Sequence, residues 1–173
     1  ALISEGLPVS EVQRLCDVHS AVFKGSIEEI HRETDPTKIP GHPTNVLLLE
    51  NRELEKIIEK QIKPYLDKNS NESLSFIIEG LKALSVIDIH YSKKENLLFP
   101  YMEKYGITAP PKVMWGVDDE IRDDLKMLKS DLSYGVFNED HKNGVEDLIN
   151  RINEMIFKEE NIMIPMLLDT MTQ

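Results

Sequence analysis

Three stretches of the chain end in the dipeptide Glu-Asn with the same lead-in length: Asn45-x4-Glu50-Asn51, His90-x4-Glu95-Asn96 and Met155-x4-Glu160-Asn161. Two of them extend further, His90-Tyr-Ser-Lys-Lys-Glu-Asn-Leu-Leu-Phe-Pro100 against Met155-Ile-Phe-Lys-Glu-Glu-Asn-Ile-Met-Ile-Pro165. Carboxylates at one depth on several helices, with imidazole nearby, are the donor set of a metal site inside a helical bundle. A bundle that needed only to fold would carry leucine at those places.

Helical wheels predict which of these side chains face inward. At 100° per residue, Leu84, Ile87, Tyr91, Leu98 and Met102 set the apolar face of one helix, and His90 and Glu95 lie roughly 70° to either side of it. Both are therefore expected to reach the bundle axis. Glu159 falls near the centre of the face set by Ile152, Ile156, Met163 and Leu167, and Glu160 at its edge. His42, Val46, Leu49, Glu50, Glu53 and Ile57 share another face. Asp118 lies just inside the face of Met114, Val117, Ile121, Leu125 and Leu128. An unpaired buried carboxylate costs several kcal/mol, so a cluster of them predicts cations. Two divalent ions bridged by carboxylates satisfy that need, and mixed nitrogen and oxygen donors suit iron or manganese. His90 alone reads better as a helix residue satisfied by a neighbouring carboxylate than as a ligand, whereas His19, one turn from Cys16 and Phe23, reads equally as a core residue or a ligand. Together with Glu95 and the second motif copy, ligation is the better reading of His90.

The elements that must hold these residues are all helical. Val12, Leu15, Cys16, His19, Val22, Phe23, Ile27 and Ile30 recur at three- and four-residue spacing over residues 10–32, which predicts an amphipathic helix. Three prolines and a glycine between Glu33 and Pro43 make an irregular link. Further helices are expected over 43–66, over 73–105 with a kink at Pro100, over 110–133, and from about 138 to the C-terminus. The last has a kink at Pro165 and a potential break at Asn143-Gly144. No window alternates as a strand does. The expected fold is all-α: an antiparallel four-helix bundle over 43–173 with an additional N-terminal helix over 1–33, together one domain of 173 residues.

A net charge of -11 argues against nucleic acid and anionic lipid as partners. The single cysteine, Cys16, excludes an intrachain disulfide framework. No apolar run reaches the ~20 residues of a membrane span, and the first eight residues lack the pattern of a signal peptide. A cytoplasmic location is expected.

The motif His-x-x-x-Glu-Glu-x-x-Leu-Phe-Pro, once in each half of a four-helix bundle, resembles the hemerythrin-like HHE cation-binding domain. His90 to Pro100 matches it with Lys94 in the first Glu place; Met155 to Pro165 matches it without the histidine. The phrases Leu-Cys-Asp-Val-His19, Pro-Gly-His42-Pro, Glu50-Asn-Arg and Val-Met-Trp-Gly-Val-Asp-Asp-Glu-Ile-Arg122 resemble one bacterial subfamily. In it the bundle follows a short N-terminal helical segment and precedes a PAS-like sensor domain. The resemblance implies two non-haem irons, with manganese or zinc as alternatives. It implies ligands drawn from His42, Glu50, His90, Glu95, Glu159 or Glu160, with His19 a further candidate from the extra helix. Asp118 stands where hemerythrins usually place histidine. It implies dioxygen or another diatomic molecule as ligand and an adjoining output domain as partner. A carboxylate-rich, imidazole-poor site favours a non-catalytic sensor of oxygen, nitric oxide, redox state or iron over an oxygen carrier. The alternatives are an enzyme of ferroxidase or peroxidase type and a helical interaction module with a degenerate site, to which Asn45 and Met155 point.

Overall fold

A computed structural model describes residues 35–68 and 71–171. The helix expected over 10–32, with Cys16 and His19, lies outside the described residues. A 3-10 turn, Pro36–Lys38, leads to α1, which runs Pro43–Ile57, passes through a π-helical turn Ile58–Ile62 and ends at Lys63–Leu66. Then come α2 (Asn71–Leu84) and α3 (Ile87–Lys93, π-helical turn Lys94–Leu98, then Phe99–Lys104). α4 is Ala109–Leu132, and α5 is Glu139–Lys158 with a π-helical turn Glu159–Met163 and a last segment Ile164–Met171. α2 and α3 stack end to end as one rod, so four rods joined by short turns form the expected antiparallel bundle.

Each π-helical turn ends two residues before a proline: Pro64, Pro100 and Pro165. A helical proline has no N–H to donate and its ring crowds the carbonyl four residues back. The chain answers with a wider turn, in which the N–H groups of Lys63, Phe99 and Ile164 reach back five residues, to the carbonyls of Ile58, Lys94 and Glu159. The kinks expected at Pro100 and Pro165 are thus inserted residues. Pro64 behaves identically and gave no distinct warning in sequence. At Asn96 and Asn161 the side-chain amide donates to the carbonyl four residues back, of Ser92 (2.7 Å) and of Phe157 (2.9 Å).

Two boundaries differ from expectation. The rod over 73–105 breaks at Ser85-Val86, where no glycine or proline marks it. α5 shows no break at Asn143-Gly144; Gly144 packs close to Leu128 instead, a Cβ there meeting its Cδ2 at 3.0 Å. Leu54, Ile58, Ile77, Leu81, Leu84, Ile121, Leu132, Val145, Ile152 and Met163 fill the centre of the bundle. Among the described residues no helix is long and apolar enough to cross a membrane.

Candidate charge centre of the bundle

The two matching π-helical turns of α3 and α5 deliver polar side chains into this core. Lys94 is fully buried. Its Nζ donates to Asp118 Oδ1 of α4 at 2.9 Å and to Glu159 Oε1 of α5 at 2.5 Å, and it lies 4.2 Å from the centroid of the Tyr91 ring. Lys94 follows Tyr91 by three residues and precedes Leu98 by four, squarely on the apolar face of α3. That spacing was the sequence signal for its inward direction; as a lysine it registered only as a departure from a motif.

His90, also buried, places Nδ1 2.9 Å from Glu50 Oε2 and Nε2 3.2 Å from Glu159 Oε2. Two carboxylate acceptors facing both ring nitrogens call for both to carry hydrogen, which only the imidazolium does. Burial pulls the His90 pKa down, but the bonds to Glu159 and Glu50 outweigh it and hold it above its ordinary value. Burial likewise pushes the Glu159 carboxyl up, while the charges of Lys94 and His90 bring it down to about 2. Asp118 goes the other way. Its burial, only partly opposed by Lys94, raises it to about 7.

A second charged group sits on the outer side of Tyr91. Arg122 of α4 grips Glu95 through two bonds, 2.7 and 2.8 Å, and also donates to Asp88 and Asp119. The Glu95 bond comes first among the causes that raise the Arg122 pKa. Its guanidinium carbon lies 5.6 Å from the centroid of the Tyr91 ring.

The sequence candidates therefore separate. Asp118 and Glu159 meet at Lys94, and His90 links Glu159 to Glu50, which also accepts from Lys93. Glu95 is buried as expected but faces Arg122, not Glu159. Glu160 lies at the edge, paired with Arg52 and accepting from Asn51 at 3.2 Å. His42 caps α1, its Nδ1 accepting from the Thr44 N–H at 3.3 Å. His19 lies outside the described residues. Positive side chains lie against each of these carboxylates: Lys94 and His90 on Glu159, Lys94 on Asp118, His90 and Lys93 on Glu50, and Arg122 on Glu95.

The chain matches the family model of the hemerythrin HHE cation-binding domain over residues 42–167. It belongs to that family. A second family model, described only as a family of unknown function, matches residues 1–29. No curated protein and no solved structure gives a significant match.

Members of a cation-binding family are expected to hold metal, so the donors must be tested against that role. A pair of irons requires several oxygen and nitrogen donors converging on each ion. Among the described residues no group of three or more His, Cys, Asp or Glu side chains is placed to do so. The point where Asp118 and Glu159 converge is taken by the Lys94 ammonium, and Met155 offers no imidazole opposite His90. The residues described do not fit a two-iron centre.

Proposed function

We propose that this domain is a non-catalytic sensing or relay module of the hemerythrin class whose central positive charge is the Lys94 ammonium. A signal would pass to an adjoining domain through helix packing around that centre. The observation that carries this reading is Lys94 itself, fully buried between Asp118 and Glu159. An ammonium held by two carboxylates and set over a tyrosine ring satisfies the electrostatic need that a metal would otherwise meet. Reversible dioxygen binding, and ferroxidase or peroxidase turnover, rest on a redox-active metal pair. The described residues do not group the ligands for that pair, so these activities form no part of the proposal.

One observation favours a second reading, a single divalent ion such as iron, manganese or zinc. Asp118 Oδ2 and the Tyr91 hydroxyl are buried without a hydrogen-bond partner, and such orphaned groups call for an explanation. An ion there would take Asp118 Oδ2 as its open donor and would require Lys94 to be displaced before Glu159 could join it.

Metal analysis after aerobic purification, repeated after anaerobic incubation with Fe(II), separates the two. The lysine-centred reading expects no stoichiometric metal and a melting temperature unchanged by Fe(II). One ion per chain, with a raised melting temperature, supports the second reading. Two ions per chain overturn both.

A further inference from the structure

Two cavities lie on the face between α1 and α3, on either side of the ridge formed by Val46 and Glu50. The first, about 360 Å³, is walled by Val46 and Leu47 of α1, Leu97 and Leu98 of α3 and Leu167 of α5. Leu47 and Leu167 are buried, whereas Leu97 is 67 % exposed. A cavity of that size, apolar with a few polar groups in its wall, is the usual form of a small-molecule site. The second, about 310 Å³, has Glu50 and Glu53 in its wall and no lysine or arginine.

The polar groups of the first cavity decide which ligand suits it. Glu50, Lys93, Lys94 and Tyr101 line it. Lys94 is fully buried, and its ammonium faces Asp118 and Glu159. The Tyr101 hydroxyl is engaged with Tyr105. Each Glu50 oxygen already accepts a bond, Oε1 from Lys93 and Oε2 from His90. Lys93 is different. Its side chain is 47 % exposed, and Glu50 takes one of the three hydrogens that an ammonium can donate. Charge complementarity therefore favours an anionic head, and the wall favours an apolar body. The net charge of -11 works against anions in general, so burial of the body must supply most of the affinity. Phosphate and other wholly polar anions do not meet that condition.

We propose that the first cavity binds a small apolar monocarboxylate, its chain against Val46, Leu47, Leu97 and Leu167 and its carboxylate on the Lys93 ammonium. The site does not depend on what occupies the buried centre. It adjoins that centre through Glu50, whose other oxygen meets His90, so a carboxylate competing for Lys93 acts one bond away from the buried histidine.

Octanoate is the probe, titrated into the nitrogen-15-labelled full chain and followed by two-dimensional NMR, with octan-1-ol and octylammonium as comparisons. Saturable binding is expected, with shifts concentrated in residues 43–50 and 93–101 and octanoate about fivefold tighter than either comparison. Val46→Trp fills the cavity and should weaken octanoate by at least about tenfold, the share that the apolar body supplies. Lys93→Ala, at an exposed position, should abolish the preference for octanoate while leaving octan-1-ol binding unchanged. Circular dichroism checks that both variants keep the parent's helix content; if Val46→Trp does not, Lys93→Ala decides alone. Shifts that spread over the surface without saturating overturn the proposal. So does octylammonium binding in the first cavity as tightly as octanoate, or a preference for octanoate that survives Lys93→Ala. Self-association through the same residues, unchanged by octanoate, also overturns it and assigns the face to a second copy.

Discussion

The π-helical turns of α3 and α5 are near copies in backbone and opposites in charge. Both end two residues before a proline, and both place two polar residues at their start with an asparagine following. The α5 copy brings in an anion, Glu159. The α3 copy brings in a cation, Lys94, at the equivalent place, beside Glu95, which Arg122 neutralises. Were both copies acidic, the interior would need external positive charge. With lysine at 94 opposite glutamate at 159, and histidine at 90 where the other copy has Met155, the two halves neutralise each other. The comparison teaches that two turns of one backbone form can present side chains of opposite charge to one core, so that each supplies the other's counter-ion.

The sharpest way to break this complementarity is to make the copies alike. Lys94→Glu should be folded poorly or not at all without metal, and should recover helical content on addition of Fe(II), Mn(II) or Zn(II), followed by circular dichroism. Indifference to metal would show that the lysine is not standing in for an ion. Lys94→Met removes the cation without adding a charge. It should cost about 3–5 kcal/mol in urea denaturation, because it strands buried carboxylates.

Next in size is the response to pH. Asp118 has an ordinary value of 3.8 and a folded value of about 7, so between those limits the folded chain holds a proton that the unfolded chain has released. Stability through this group therefore falls as pH rises from about 4 to 7, by on the order of a few kcal/mol at most. His90, raised from 6.5, contributes stability that is complete below 6.5 and lost as pH climbs through its folded value. Glu159, lowered from 4.5 to about 2, contributes stability present above 4.5 and lost as pH falls through about 2. The maximum should lie on the acid side of neutrality. Asp118→Asn should flatten the decline between pH 4 and 7 in a series of melting temperatures; an unchanged slope would count against the assignment.

The smallest effect tests the backbone half of the comparison. Asn96→Ala and Asn161→Ala each remove one side-chain bond to a backbone carbonyl and should cost about 0.5–1.5 kcal/mol, to a similar extent in the two copies. A large difference between them would mean that the two turns are not equivalent.

Most of the fold was legible in the sequence, because apolar residues at three- and four-residue spacing and turn residues between them leave few alternatives. The Ser85-Val86 break was not, since neither residue forbids a helix and tertiary packing decides the matter. Wheel geometry placed Glu159 inside and Glu160 at the edge, as the structure does. It placed Glu95 inward without its partner, because Arg122 comes from α4 and no local pattern links residues 27 positions apart. Lys94 was missed for a chemical reason. Lysine is almost never buried unless paired, and the pairing was visible only once α4 and α5 were in place.

Tyr91 gives the centre an optical handle. Its ring is fully buried beside Lys94, and burial together with the nearby Asp118 and Glu159 charges pushes its pKa well above the ordinary value of 10.0. Of the five tyrosines in the chain, this one should stay colourless in the tyrosinate band during an alkaline titration until the bundle opens. Its late absorbance step would then time the loss of the interior independently of helix content.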